Sequence, residues 1–373
     1  MKLLVTIACL TILSTTAAIA QNDATDTRAG IAPDIREDKT NLKLQRGDFV
    51  AVPIPISNPT LGTGLVAGAA YFYPQSEAQK KLQPASVTGI GAMYTSNESK
   101  AFAVVQQNYW RDDKWRFTGG AGAADLKLTL LTTDQTNSEK NLDWRIEGTF
   151  FYAKLARRLQ GDWYGGVLTR VVDADQSIES SVVTSSNSDF DEAGNVRSVG
   201  LGVYVEYDQR DNPLNSSSGL YFKLDALFND EAIGSNDTYQ SLASVLKSYH
   251  QQSESLVLAW EAQACRRSGT TPLWDACTVK LRGFSATDYL GTVSASAQGE
   301  ARWELSERWG IVGFAGVGYV GSSFSGIRDN EPIPSYGLGL RFMVLKAKRI
   351  NLRVDFARSA DSDAVHVSVG EAF

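Results

Sequence analysis

Short segments in which apolar and polar residues alternate recur along almost the whole chain, and this pattern constrains the fold most strongly. In Ile350–Phe356, apolar residues occupy every second position, with polar or charged residues between them. Successive side chains of a strand point to opposite faces, so each such segment predicts a strand with one apolar face. From Asp48 onward we predict sixteen strands, about one per 20 residues, a spacing typical of antiparallel hairpins. They are Asp48–Ser57, Gly64–Tyr73, Ala85–Ser96, Lys100–Trp110, Trp115–Leu126, Ile146–Arg157, Trp163–Val172, Val196–Tyr207, Gly219–Phe228, Thr238–Tyr249, Ser255–Cys265, Gln298–Leu305, Trp309–Val320, Tyr336–Leu345, Arg349–Arg358 and Ala364–Phe373.

The connections between the predicted strands alternate between long and short. The long ones include Lys127–Arg145, Val171–Asn195, Cys265–Ala297 and Gly321–Ser335. The short ones include Arg111–Lys114, Leu159–Asp162, His250–Glu254, Ser306–Arg308 and Lys346–Lys348. Long loops at one rim and short turns at the other are typical of an outer-membrane barrel, whereas a soluble sandwich has no reason to sort its loops. Because open sheet edges cannot face lipid, we predict a closed all-β fold, a transmembrane antiparallel β-barrel with both termini at the short-turn rim.

Aromatic residues cluster beside the short turns. Tyr109, Trp110 and Trp115 flank one short turn, and Trp303 and Trp309 flank another. Tyrosine and tryptophan concentrate at membrane–water interfaces because their rings are part apolar and part polar. We therefore expect an aromatic girdle at this rim. The alternative is that some of these residues belong to the core of a soluble fold.

The first residues have the pattern of a secretory signal peptide. Met1–Ala20 has a basic start, the apolar run Leu3–Leu13 and a small-residue end, so we predict cleavage after Ala20. An uncleaved membrane anchor is the alternative, but the apolar run is shorter than the roughly 20 residues that a spanning helix needs. The polar segment Gln21–Gly47 predicts a periplasmic linker or arm. We expect residues 48–373 to form the barrel, in the outer membrane of a Gram-negative bacterium.

Charge and histidine content argue against several classes of function. The formal net charge is −6, so a nucleic-acid partner has no electrostatic support. The chain has two histidines, His250 and His366, and neither lies in a motif with a serine or aspartate that would indicate a hydrolase. The glycine-rich run Gly313–Gly321 precedes no predicted helix and therefore does not predict a phosphate site. We expect neither enzymatic activity nor a cofactor.

One segment departs from the strand pattern. Cys265–Gln298 contains Pro272, several glycines and a run of small polar residues. Connections longer than about 15 residues without secondary structure are uncommon and are usually functional. Cys265 and Cys277 lie at the base of this segment, and a disulfide is the default after a signal peptide. Two free thiols are the alternative, whereas the spacing excludes a CxxC metal site.

The tetrapeptide Leu281-Arg282-Gly283-Phe284 in this segment resembles the [VI]-R-G-[FY] motif of the BamA/TamA-type outer-membrane insertase superfamily, also called the bacterial surface antigen family. Other segments resemble further motifs of that family, so that the resemblance covers residues 48–373. They are a D-x-R-[DN] turn motif with Asp208, Arg210, Asp211 and Gly219, the pair Glu304-Leu305, and a final hairpin from Arg349 to Phe373. The terminal aromatic Phe373 also resembles the targeting signal of bacterial outer-membrane proteins.

The resemblance implies a latch inside the barrel. In the family, the loop with this motif folds back into the lumen, and its arginine meets acidic residues on the wall. A guanidinium is suited to carboxylates, and the expected partners of Arg282 are Glu300, Glu304 and Asp355. Gly283 would permit the tight backbone, and Phe284 would pack against the wall. The alternative is a solvent-exposed arginine without a fixed contact.

The chain also departs from the family pattern. Gln21–Gly47 alone precedes the predicted barrel, so we expect a member without POTRA domains, which receive substrate proteins in the family. Gly316 occupies a position where the family often has an acid, and Ser216 replaces a proline of the turn motif. The first departure weakens a role in chaperone-fed protein insertion, and the second removes one expected partner of the loop arginine.

The predicted function is that of an outer-membrane biogenesis factor, which assists the assembly or translocation of proteins or lipids. It would act through a weak seam between the first and last strands, where Pro53 and Pro55 each remove a backbone donor. The expected partners are outer-membrane lipid and lipopolysaccharide, together with client proteins or periplasmic factors. The alternative is a passive pore or structural barrel, because sixteen strands can enclose an aqueous channel.

Overall fold

The computed structural model describes residues 47–80, 82–133, 139–179, 190–191, 194–213, 215–327, 330–346, 349–359 and 362–373. The predicted signal peptide and the predicted arm up to residue 46 lie outside the described residues. No helix in the described part of the chain is long and apolar enough to cross a membrane.

Sixteen antiparallel strands form a closed barrel in which neighbours in the chain are also neighbours in the sheet, and β1 closes against β16. The strands are β1 Asp48–Asn58, β2 Gly62–Phe72, β3 Val87–Thr95, β4 Lys100–Trp110, β5 Trp115–Thr133, β6 Glu139–Arg158, β7 Trp163–Glu179, β8 Gly194–Asp208, β9 Gly219–Asn229, β10 Tyr239–Ser253, β11 Leu256–Gly269, β12 Val293–Glu304, β13 Trp309–Gly321, β14 Ile333–Leu345, β15 Ile350–Ser359 and β16 Asp363–Val369. The predicted fold class and strand number are therefore confirmed. We call the end with the connections after odd strands the loop rim and the other end the turn rim.

Strand length differs around the barrel, and two predicted loops are largely strand. β1 to β4 have 9 to 11 residues, whereas β5 to β8 have 15 to 20. The predicted loop Lys127–Arg145 was wrong, because β5 and β6 stay paired up to Thr133 and Glu139. The predicted loop Val171–Asn195 was also too long, since β7 continues to Glu179. In these extensions apolar and polar residues continue to alternate, and the inward apolar residues, such as Leu128, Leu130 and Trp144, belong to the core inside the barrel.

The turn rim is less uniform than predicted. Most of its connections are short, but residues 73–86 include the short helix α1 (Glu77–Lys80), and residues 209–218 form a second long connection. Exposed tryptophans lie beside the short turns, as in the contact of Trp163 with Tyr207 and of Trp309 with Phe342, each with ring centroids 4.9 Å apart. The outward side chains of the strands are mainly exposed apolar residues, which suits a wall that faces lipid.

The largest apolar core lies inside the barrel, toward the loop rim. It consists of inward side chains of β1 to β8 together with Trp274 from the connection between β11 and β12. Its fully buried members include Leu126, Trp144, Ile146, Val172 and Val196. The inward apolar side chains of β5 to β8 therefore pack against the β11–β12 connection inside the barrel.

Candidate functional site

The connection between β11 and β12, residues 270–292, contacts strands all around the barrel. Its partners on the wall include Thr60 after β1, Thr129 of β5, Arg170 of β7, Glu300 of β12 and Asp355 of β15. A segment that reaches strands on opposite sides of a closed ring must lie within the ring. We call residues 270–292 the lumenal loop.

The part of the lumenal loop nearest the loop rim is held by a buried acid. Asp275 Oδ1 lies 3.1 Å from both Arg170 Nη1 of β7 and Arg267 Nη2 of β11, and its side chain is fully buried. Burial alone would raise the pKa of Asp275, but the two arginines outweigh it and lower the pKa. Asp275 was not among the site residues predicted from the sequence. A signal was present, since an acid amid apolar residues beside Cys277 requires a buried partner.

A disulfide fixes the base of the lumenal loop. Cys265 in β11 and Cys277 in the loop are bonded, with Cα atoms 5.6 Å apart. The short strand Cys277–Thr278 pairs with Leu290–Gly291, so the loop also has a two-stranded section of its own. The disulfide therefore ties this section to the barrel wall.

Arg282 is buried in the lumen between two carboxylates. Its Nη1 lies 3.0 Å from Asp355 Oδ2 of β15, and its Nη2 lies 2.8 Å from Glu300 Oε2 of β12. The guanidinium also lies over the ring of Phe314 in β13, 3.4 Å from the centroid. Two strands separate β12 from β15, so a single arginine bridges a four-stranded section of the wall.

Glu304 does not take part in this contact, which corrects the prediction that it is a lumenal partner. It is the last residue of β12 and is exposed at the turn rim, whereas Glu300 is buried. Both residues lie on the same face of β12, but four residues along a strand correspond to roughly 13 Å. The alternation correctly identified the face of Glu304, and its position along the strand takes it out of reach of Arg282.

The neighbours of Arg282 account for the other motif residues. Gly283 has φ 112°, and a Cβ there would lie 3.1 Å from the backbone of Arg358, so glycine is required. Phe284 is buried against Tyr289, with ring centroids 5.1 Å apart. At Gly316, the position where the sequence analysis noted the absence of an acid, a Cβ would lie 2.8 Å from Gln298 Cβ of β12 and 3.0 Å from Leu281 Cδ2. The neighbouring strand and the lumenal loop together occupy the space that a side chain at that position would need.

Each carboxylate that binds Arg282 also binds a second arginine. Glu300 Oε1 accepts a hydrogen bond from Arg302 Nε at 2.7 Å, and Asp355 Oδ1 accepts one from Arg341 Nη1 at 2.6 Å. The lumen therefore contains a charged network whose centre is three buried arginines and two buried acids, and Arg353 Nε adds a longer contact to Asp355 Oδ2, at 3.7 Å. Such a network is stable only when every member is paired, because an unpaired buried charge is costly.

The network continues to the C-terminus. Arg341 Nε lies 2.7 Å from Glu371 Oε2, and Arg302 Nη2 donates to the Phe373 carbonyl oxygen at 2.7 Å. The predicted last strand, which ran to Phe373, was too long, because β16 ends at Val369 and the chain turns inward at Gly370, with φ 95°. The lumenal arginines draw the acidic end of the chain inward. The role of Phe373 as a targeting signal stays a prediction.

The turn motif stabilises the long connection between β8 and β9. Arg210 Nη2 lies 2.7 Å from Asp208 Oδ2, and Asp211 Oδ1 accepts the backbone N–H of Ser217 at 2.8 Å. Gly219, with φ 108°, begins β9 where a Cβ would meet the backbone of Gln209. Burial would raise the pKa of Asp211, but hydrogen bonds from Ser217 and the following backbone N–H groups lower it overall.

This connection crosses the barrel end at the turn rim. Asp211 Oδ2 lies 3.1 Å from Arg349 Nη1, in the turn before β15, and Asn215 Nδ2 donates to the Arg349 carbonyl oxygen at 3.2 Å. Ser216, which replaces the family proline, presents its carbonyl oxygen to Arg302 Nη1 of β12 at 3.1 Å. β8 and β9 lie on the other side of the ring from β15, so residues 209–218 extend across the barrel mouth.

The seam between β1 and β16 is the thinnest interface of the barrel. In the described part of the chain it has a single registered pair, Ser57 with Val367, whereas every other pair of neighbouring barrel strands has at least seven. The Ser57 hydroxyl adds one hydrogen bond to the Val365 carbonyl oxygen, at 3.3 Å. The predicted weak seam thus corresponds to a short ladder in the structure.

The Omp85 superfamily domain matches residues 86–373. The chain belongs to the Omp85 superfamily. Omp85 barrels are outer-membrane proteins, and the predicted family resemblance is confirmed.

Solved structures agree with this Omp85 assignment at the level of the fold. BamA from Haemophilus ducreyi lacking POTRA domains 1–3 is 12% identical, with a TM-score of 0.58 and 87% of this chain and 69% of that chain covered. CdiB from Acinetobacter baumannii is 9% identical, with a TM-score of 0.54 and 87% and 60% covered. CdiB from Escherichia coli is 10% identical, with a TM-score of 0.52 and 85% and 62% covered. The chain thus spans about three fifths of the length of the two CdiB chains. No curated protein matches the sequence significantly.

Proposed function

We propose that this Omp85 barrel is an outer-membrane biogenesis factor that assists the assembly or translocation of proteins or lipids through the seam between β1 and β16. The observation that carries this proposal is the single registered pair at the seam. A barrel that has only to persist in the membrane gains nothing from one thin interface, because each missing ladder bond exposes backbone groups to lipid. A barrel that must open sideways needs such an interface.

The free edge of β1 supports the proposal. Extending the register of Ser57 and Val367 places Ile54 opposite Gly370, where the chain has left the strand, so residues 48–53 face no strand at the seam. β1 is paired continuously with β2, and the positions without an N–H at Pro53 and Pro55 therefore lie on the seam side. An unpaired strand edge is a template for another strand, which is the property that assembly of a client barrel would use.

The proposed partners follow from the seam and its surroundings. Lipid of the outer membrane, including lipopolysaccharide, would contact the exposed apolar residues beside the seam, such as Phe49 and Val365. Client proteins would pair with the edge of β1, and periplasmic factors would meet the barrel at the turn rim, near residues 209–218. A passive pore has less support, because the lumenal loop and residues 209–218 both extend across the lumen.

Depletion of the protein, followed by an inventory of outer-membrane proteins and lipids, tests the proposal. Depletion should reduce specific proteins or lipids, and the wild-type chain should restore them. A locked variant with Ser57→Cys and Val367→Cys should restore them only in the presence of reductant, because a registered pair is close enough for a disulfide. The single variant Ser57→Cys is the matched control, since it shares any effect of reductant on the native disulfide.

Two results would contradict the proposal. One is an unchanged inventory after depletion. The other is full restoration by the locked variant without reductant, which would mean that the seam stays closed during function. Conductance in planar bilayers tests the passive pore in parallel, and large steady currents from the wild-type barrel would favour the pore.

A further inference from the structure

The tip of the lumenal loop contacts the chain on both sides of the seam. On one side, the Gly283 N–H donates to His366 Nε2 of β16 at 3.4 Å, and Ser362 Oγ donates to the Gly283 carbonyl oxygen at 2.6 Å. On the other side, the Ala286 N–H donates to Thr60 Oγ1 at 2.9 Å. Only two residues separate Gly283 from Ala286, so this short stretch spans the gap that the strands themselves barely close.

Thr60 moves with β1 because of its position. It lies in the three-residue connection between β1 and β2, and the Asn58 side chain accepts the backbone N–H groups of Thr60 and Leu61 at 3.0 and 2.9 Å. The Ser285 hydroxyl provides a second contact to Thr60 Oγ1, at 3.1 Å. Any displacement of β1 from β16 therefore has to break or stretch the two hydrogen bonds that reach Thr60.

These contacts are not needed to hold the lumenal loop in place. The loop is already fixed by the disulfide at Cys277, by Asp275 between two arginines and by Arg282 between two acids. Those anchors lie on β7, β11, β12 and β15, and none of them is on β1 or β16. The contact with Thr60 connects this fixed loop to β1 across the thin ladder.

We propose that residues 283–286 form a clasp that holds the β1 and β16 sides of the seam together from inside the barrel. The clasp replaces ladder hydrogen bonds with side-chain contacts, which can be released without unfolding either strand. Thr60 is the anchor on the β1 side, and Ser362 and His366 are the anchors on the β16 side. The proposal concerns the mechanics of the barrel and does not depend on which molecule uses the seam.

Hydrogen exchange of the full chain in lipid nanodiscs, followed by mass spectrometry, tests the clasp. Thr60→Val removes the hydroxyl and keeps the shape of the side chain. It should raise exchange in peptides that cover β1 and β16 by roughly 5- to 30-fold, the effect of losing one or two net hydrogen bonds. Peptides from β8 and β9, on the far side of the ring, should exchange as in the wild type.

Thr63→Val is the matched control, because Thr63 is an exposed threonine of β2 only three residues away. It should leave exchange at the seam unchanged. Ser285→Ala removes one of the two contacts to Thr60 and should give a smaller increase confined to the same two strands. If Thr60→Val folds poorly, Ser362→Ala releases the clasp from the opposite side and should produce the same pattern.

Two outcomes would overturn the clasp. If β1 and β16 exchange at the wild-type rate in both Thr60→Val and Ser362→Ala, these contacts do not stabilise the seam. An equal increase in all strands would show that these residues stabilise the barrel as a whole and do not act on the seam.

Discussion

Replacing Arg282 with alanine removes the centre of the charged network in the lumen. The substitution leaves Glu300 with Arg302 alone, and it leaves Asp355 with Arg341 and with Arg353, whose Nε lies 3.7 Å from Asp355 Oδ2. Both acids are fully buried, so water cannot readily take the place of the missing guanidinium. The contact over the ring of Phe314 is lost as well.

The expected loss of stability follows from these contacts. Removing one partner of a buried ion pair costs about 3–5 kcal/mol when the other charge is left alone. Here each acid keeps at least one partner, so we expect a value near the lower limit, about 3 kcal/mol. For a protein of this size a loss of that order lowers the unfolding midpoint by about 4 °C. Arg282→Lys should fall between alanine and the wild type, because one ammonium group cannot bridge two carboxylates on different strands.

Heat-modifiability on a gel measures this loss, since the folded barrel migrates differently from the heated chain. The temperature at which the folded band disappears should be lower for Arg282→Ala than for the wild type. Arg266→Ala is the matched control, because Arg266 is an exposed arginine of β11 near the base of the same loop. An unchanged midpoint for Arg282→Ala would refute a stabilising role of the Arg282 ion pairs. A decrease for Arg266→Ala equal to that for Arg282→Ala would refute it as well.

Three further predictions concern the loop base, the crossing turn and the C-terminus. Cys277→Ser should lower the free energy of unfolding by up to about 3 kcal/mol, the value for a ring of this size. Reductant should lower the wild-type midpoint to that of the variant and leave the midpoint of the variant unchanged. The lowered pKa of Asp211 means that its stabilisation is present above the unfolded value of about 4 and is lost as pH falls through the lower folded value. Hydrogen exchange of residues 209–218, corrected for intrinsic rates, should therefore rise at acidic pH in the wild type, whereas Asp211→Asn should exchange faster at neutral pH and show no acid transition; identical pH profiles would refute this. Glu371→Gln should weaken the contacts to Arg341 and Asn351 and make the C-terminus more accessible to carboxypeptidase, and the exposed control Glu307→Gln should not.

The barrel itself was predictable because its signals are local. Alternation along each strand sets which side chains face lipid and which face the lumen, and it requires no knowledge of neighbouring strands. The short turns and the aromatic residues beside them marked one rim in the same local way. The predicted boundaries were wrong where β5 to β7 extend further. In β5 the inward apolar residues Leu128 and Leu130 continue the alternation beyond the predicted end at Leu126, and the pairing with β6 continues with them.

The predicted site was only partly accurate for a related reason. The resemblance of Leu281–Phe284 to the family motif indicated a lumenal arginine, and the structure has Arg282 there, but alternation could not distinguish Glu304 from Glu300 as its partner. Both acids lie on the inward face of β12, but Glu304 is four residues closer to the turn rim and is out of reach of Arg282. Asp275 was missed because its arginines come from β7 and β11, which are far apart in sequence.

The amino-acid sequence by itself determined the number of strands, the closed barrel and which rim carries most of the short turns, since these depend on short-range periodicity and on the cost of exposing backbone groups to lipid. Only the tertiary structure decided what fills the lumen. The two partners of Arg282, the inward turn at Gly370 and the contact of residues 283–286 with Thr60 all depend on the register and tilt of sixteen strands, which bring residues from distant parts of the chain to the same height inside the ring.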